Sequence, residues 1–196
     1  MKFSVSVLLL LTCLYCISIC QSKIIIKKSN GQSTAYNLSE ISSISFITNL
    51  IQNGDFNDSL NHWLMNGVGP NPYHPTDPGR ADFKIENGIL TIDITNQGVD
   101  LWSVMLYQSV YFENGVTYNI SFEAKSDYPC QIISNITQDN TWINFSGNKM
   151  FNLTNSMTTY SYEFTMPQNG PALFQYYLGT IGTGKLYFDN IVIVRK

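Results

Sequence analysis

At 196 residues the chain suits one domain with a sizeable core plus an N-terminal appendage, and two full domains would be cramped. Only 13% of its residues are charged and the formal charge is −3, so the basic surface that a phosphate backbone requires is missing and no nucleic-acid partner is expected. Aromatic residues are plentiful, with 12 Tyr, 11 Phe and 3 Trp, and they stand among many Asn, Ser and Thr. That balance suits a neutral polar ligand better than a charged one.

In chain order, Lys2 precedes the apolar run VSVLLLLTCLYCISI, and small residues follow before Gln21. The layout is that of a secretory signal peptide over residues 1–20, with Ser18 and Cys20 at the small-residue positions before the cut. The run is too short and too early to prefer a membrane span, so no transmembrane segment is expected. Export to the exterior or the cell surface follows. A competing reading makes Cys20 a lipid-anchored cysteine, although Ile19 is a poor residue just before one. Cys13, Cys16 and Cys20 all lie in this leader, which leaves Cys130 alone. One cysteine closes no internal disulfide, and among apolar strand residues a buried inert thiol is its ordinary state.

Residues 21–48 read as a separate small β-hairpin appendage, because Asn30-Gly31 between two extended segments accepts positive φ at both turn positions. From Asn49 to Lys196 no helical period persists. Two-residue alternation recurs instead, bounded by Gly, Asn, Pro and Asp, in FKIENGILTIDIT, WSVMLYQSVYF, TYNISFEAK, CQIISNIT, TYSYEFTM, ALFQYYLG and KLYFDNIVIV. These runs predict an all-β sandwich. In TYNISFEAK the inward set is Tyr118, Ile120, Phe122 and Ala124; in TYSYEFTM it is Tyr160, Tyr162, Phe164 and Met166. The longest loop, GVGPNPYHPTDPGRAD, holds four prolines and reads as ordered but irregular.

Five stretches stand in a telling order: NGDFNDSLNHW (53–63), ADFKIENGILTIDITNQGVDLWSVMLYQ (81–108), GVTYNISFEAKSD (115–127), TTYSYEFTM (158–166) and LGTIGTGKLYFDNIVI (178–193). Together they resemble carbohydrate-binding modules of the CenC type, families 4 and 9 with their relatives. The resemblance implies a galactose-binding-like jelly-roll β-sandwich of two antiparallel sheets that is non-catalytic and works beside glycan-degrading enzymes. It implies a neutral polysaccharide, a β-glucan or xylan-like chain, held in a groove lined by aromatic and amide side chains. It also implies a structural Ca²⁺ away from that groove. On this chain Asp189 of FDNI matches the acidic ligand, Lys125 of EAK would give its backbone oxygen, and Asn57 stands where relatives often have Glu, at the cost of a charge. For Asp189 the alternative is a strand-end carboxylate bonded to a turn, with no ion.

A glycan offers flat CH faces and many hydroxyls, so its site wants aromatic platforms and amides. In LWSVMLYQSV, Trp102, Val104, Leu106, Gln108 and Val110 share the packing parity, which leaves Ser103, Met105 and Tyr107 for the groove floor. Met105 stands where relatives frequently carry a polar residue. Gln175 and Tyr177 pair an amide with an aromatic on one face of ALFQYYLG, while in CQIISNIT the outward residue is Asn135 or, on the other parity, Ser134. Loops add Tyr73 and Trp142, the latter open to ligand contact or to loop anchoring. Trp63 reads as core, and Trp102 as packing at the sandwich rim.

Two other classes compete. Glycoside hydrolysis would need a carboxyl pair, for which Glu123 and Glu163 are the outward candidates, but there is no jelly-roll glucanase pattern, no GxSxG elbow, and no histidine cluster beyond His62 and His74. A secreted adhesive protein is the other. Six Asn-x-Ser/Thr sites, at Asn37, Asn57, Asn119, Asn135, Asn144 and Asn152, would admit glycosylation in a eukaryotic source, and a modified Asn135 cannot line a groove. A monomer is expected.

Overall fold

The computed structural model describes residues 23–27, 31–42, 48–71 and 74–196, and the chain divides into two units, Met1–Phe46 and Ile47–Lys196. The expected signal segment with Cys20, turn residue Asn30 and loop residue Tyr73 lie outside the described residues. In the first unit β1 (Lys23–Lys27) pairs antiparallel with β2 (Ser33–Asn37), and a 3-10 turn over Leu38–Glu40 follows. The N-terminal hairpin expected from Asn30-Gly31 is therefore present, with Gly31 at φ +84°.

The second unit holds β3 (Leu64–Asn66), β4 (Arg80–Glu86), β5 (Ile89–Asn96), β6 (Met105–Phe112), β7 (Thr117–Ser126) and β8 (Cys130–Thr137). They are followed by β9 (Lys149–Leu153), β10 (Thr158–Thr165), β11 (Gly170–Tyr177) and β12 (Gly184–Arg195). The strands form two five-stranded antiparallel sheets, in the orders β10-β7-β12-β5-β4 and β3-β6-β11-β8-β9. The architecture is the all-β sandwich that the alternation predicts. Asn87 and Gly88, both at positive φ, close the β4–β5 hairpin.

Alternation becomes burial directly in β7, where Tyr118, Ile120, Phe122 and Ala124 are fully buried and the residues between them are not. From the opposite sheet Phe112 meets Tyr118 edge to face at 4.9 Å, and Tyr176 meets Phe122 at 5.1 Å and Phe188 at 4.9 Å. Such ring pairs add to the free energy of burial itself. Trp63 is buried, packs on Phe56 and Phe174, and donates its indole N–H to the Asn53 carbonyl, so it is core as expected. Cys130 is half-buried and reduced, and burial raises its thiol pKa. Two strands escaped the sequence reading, β3 and β9, which form the two edges of the second sheet.

Candidate ligand-binding groove

The outward face of the second sheet is set by its register. Asn66, Met105, Tyr177, Ile133 and Met150 form one row across five strands, and Leu64, Tyr107, Gln175 and Asn135 form the next. Ser109, Leu173 and Thr137 form a third. Directly opposed residues share a face, so pairing alone places Tyr107, Gln175 and Asn135 side by side. The open parity of β8 is thereby closed: Asn135 is on the groove side, and Ser134 points into the core, where its hydroxyl meets that of Tyr162 at 3.0 Å.

Above this face lies a cavity of about 1110 Å³. Strands supply Met105, Tyr107, Leu173 and Tyr177 to its lining, and loops supply Trp102, Trp142, Asp100, Asp139 and His74. Of the expected groove residues, Tyr107, Tyr177, Met105 and Trp142 line it. Three expectations need correcting. Ser103 is 1% exposed and lies under the groove wall, because β6 begins only at Met105 and residues 100–103 form a turn. In that turn the Ser103 N–H donates to the Asp100 carbonyl and its hydroxyl accepts from the Asp100 N–H, which breaks the strand parity. Trp102 is in consequence 42% exposed and lines the groove instead of packing at the rim. Gln175 and Asn135, third, are on the groove side but fully buried, beneath the lining residues.

Those two amides belong to a hydrogen-bonded network. Gln175 Nε2, with two hydrogens to give, lies 2.8 Å from Asn135 Oδ1, 2.9 Å from Thr137 Oγ1 and 3.0 Å from the Tyr177 hydroxyl. Burial raises the Tyr177 phenol above its usual pKa, while hydrogen bonds with Asn135 and Gln175 offset part of the rise. Full burial also leaves Asn135 no room for an attached glycan.

The walls are held as firmly. Asp77, 3% exposed, accepts from the Gly79 and Val99 N–H groups, from Asn71 Nδ2 and from Ser103. Burial pushes its carboxyl up, but these bonds outweigh that cost and hold it below the ordinary range. His74 Nδ1 lies 2.7 Å from Asp100 Oδ2, so His74, Asp77 and Asp100 form the compact metal-type cluster among the described residues. Four donors already occupy the Asp77 oxygens, which makes the cluster a loop clasp. Trp142 sits at φ +60°, a region costly for a bulky side chain, and is 46% exposed. Sequence reasoning missed His74, Asp100 and Asp139 because spatial closure of loops, with no local pattern, brings them to the groove, and Leu64 because it stands on the three-residue strand β3.

The residues matched to a metal lie elsewhere. Asp189, at the bulge of β12, stands opposite Glu123, while Lys125 stands opposite Tyr187, with its ammonium over that ring. Asn57 Nδ2 donates to Asp55 Oδ2 at 2.6 Å. Burial raises the Asp189 carboxyl, and the like charges of Glu123 and Asp55 add to it. Carboxylate and amide oxygens are the donor types that a hard cation such as Ca²⁺ takes, and here Asn190 donates to both Asp189 and its cross-strand partner Glu123. Glu123 and Glu163 both lie on the sheet opposite the groove. Glu123 pairs with Thr159 and Glu163 with Asn119, four residues apart along β7, or roughly 13 Å at strand spacing. That exceeds the separation of about 5 to 9.5 Å that glycoside hydrolysis uses.

A two-sheet β-sandwich with an aromatic groove across one sheet defines a ligand-binding module. The carbohydrate-binding domain model of families 4 and 9 matches residues 48–177, and the chain belongs to that family, whose members are non-catalytic. A solved CBM4 structure is 27% identical, with a TM-score of 0.67 over 74% of this chain and 99% of that one. The N-terminal cellulose-binding domain of Cellulomonas fimi β-1,4-glucanase C is similar in fold, at 16% identity and a TM-score of 0.57 over 76% of this chain and 98% of its own. The second N-terminal domain of the same glucanase is 18% identical, with a TM-score of 0.57 over 79% and 99% of the two chains. A search of curated proteins returned no match.

Proposed function

We propose that the chain holds a neutral polysaccharide, a β-glucan or xylan-like chain, along the groove without cleaving it. The observation that carries this reading is the convergence of Trp102 and Trp142, from two separate loops, on Tyr107 and Tyr177 of the sheet. Rings stack on the CH faces of sugar units, while Asn66, Ser109, Asp100 and Asp139 around them meet hydroxyls. Ser109 and Leu64 also line a smaller adjoining cavity of about 350 Å³ with His62 and Gln52, so a chain has room to continue past the sheet edge.

Export through the 1–20 leader, a monomeric state, and work beside glycan-degrading enzymes complete the proposal; the solved cellulose-binding domains, which are parts of a glucanase, support the last point. Among the described residues no helix is long and apolar enough to cross a membrane. A structural Ca²⁺ at Asp189, with Asp55, Asn57 and Glu123 around it, is part of the same proposal. Affinity electrophoresis against soluble β-glucans, xylan, mannan and pectin tests the binding. Retardation by a neutral glycan is expected, and uniform failure would favour an adhesive protein instead.

A further inference from the structure

The amides expected to touch ligand are buried, yet they form part of an unbroken chain of hydrogen bonds. Tyr177, on the groove floor, is bonded to Gln175 Nε2 at 3.0 Å, and Gln175 Nε2 to Asn135 Oδ1 at 2.8 Å. Asn135 Nδ2 donates to Asn148 Oδ1 at 2.9 Å, and the same oxygen accepts from Asn144 Nδ2 at 2.8 Å. Asn144 lies two residues beyond Trp142, in the β8–β9 connection. That connection is also tied by backbone bonds, with the Trp142 N–H on the Gln138 carbonyl, the Gln138 N–H on the Ile143 carbonyl and the Phe145 N–H on the Ile136 carbonyl, and by the Ser146 hydroxyl, which accepts from the Ile136 N–H. One side-chain oxygen thus clasps the loop that carries Trp142 to the strand that supports the groove floor.

We infer that Asn148 is a positioning residue that fixes the Trp142 loop over the groove by accepting from Asn135 and Asn144 at one oxygen. Its side chain is exposed, is outside the groove lining, and contributes nothing to the core. Its role is to make one rigid body of the two ring surfaces, Tyr177 and Trp142, that a ligand would bridge. The inference about geometry stands on the hydrogen bonds; its consequence for affinity rests on the glycan reading.

Hydrogen exchange of the Gln138 and Trp142 amides in Asn148→Ala, Asn148→Asp and wild-type protein separates the two. An aspartate keeps the double acceptor, whereas alanine removes it. Asn148→Ala is expected to speed exchange at both amides about fivefold, the effect of losing a modest hydrogen-bonded clasp. Asn148→Asp is expected to retain wild-type exchange, and the β7 amides should be unchanged in both. Affinity for a retarding β-glucan should fall by a similar factor in Asn148→Ala only. Unchanged exchange in Asn148→Ala, or equal acceleration in Asn148→Asp, overturns the role. If wild-type protein binds no glycan, the proposed function fails, while the exchange comparison still decides the clasp.

Discussion

Gln175 and Asn135 face each other across the β11–β8 pair, joined Nε2 to Oδ1 at 2.8 Å, and both are fully buried. An amide pair at that depth acts as a support for the groove floor. Gln175→Leu would leave Asn135 Oδ1 and Thr137 Oγ1 without their donor. A loss of about 1 to 2 kcal/mol in urea unfolding is expected, together with weaker glycan binding, since the Tyr177 ring loses its anchor.

Tyr107 and Tyr111 share a face of β6, but only Tyr107 lines the groove, while Tyr111 is 62% exposed beyond it. Tyr107→Ala should weaken binding of a soluble glucan roughly tenfold, in the range of a stacked ring with its buried area. Tyr111→Ala should change it little. Calorimetric titration of the two variants makes the comparison, and equal losses would move the binding face away from the cavity.

The alternation of β7 and the packing of Trp63 were legible because a period of two and a burial preference each survive translation into structure unchanged. The groove face of β6 and β11 was legible for the same reason. Depth was not: parity tells which side Gln175 takes, not that Leu173, Tyr177 and the loops will cover it. Ser103 and Trp102 exchanged roles because a turn at Asp100 interrupts the parity two residues before the strand begins. Strands β3 and β9 were missed because three and five residues carry too little pattern to stand above a loop.

Gly98 packs closely against that turn. At φ +74°, an added Cβ would lie 2.2 Å from Ser103 Cβ and 2.7 Å from Asp77 Oδ1. Gly98→Ala should therefore strain the backbone and push apart the Asp77 clasp. Its melting temperature should fall by roughly 5 °C or more. A change under a degree in differential scanning calorimetry would show that the wall tolerates rearrangement.

Alkaline stability follows from buried phenols. Burial, with the neighbouring Cys130, pushes Tyr128 up to about 12, and burial also raises Tyr162 and Tyr176 well above the ordinary phenol range. Tyrosines in the unfolded chain ionise near 10, so their raised folded values favour the fold fully below that pH. The contribution is lost as pH rises from about 10 through about 12. Urea midpoints should match between about pH 8 and about pH 9, then drop by about pH 11. A flat profile would mean that these hydroxyls are solvated.

The proposed cation has its own signature. Chelation should lower the melting temperature, and added Ca²⁺ should restore it, while glycan affinity stays nearly constant because Asp189 and the groove lie on different sheets. Asp189→Asn should remove the response to chelator. A melting temperature indifferent to chelator would count against the ion.

The central claim is that rings from two loops and two strands together hold a glycan. Calorimetric titration of soluble β-glucan and xylan into wild-type protein and the double variant Trp102→Ala, Trp142→Ala tests it most directly. Both indoles are nearly half exposed, so the double variant should melt close to wild type. Saturable binding to wild type, weakened about a hundredfold or more in the double variant, is the result predicted for two stacking surfaces. Equal binding by the two proteins, or no binding by the wild type, would contradict it.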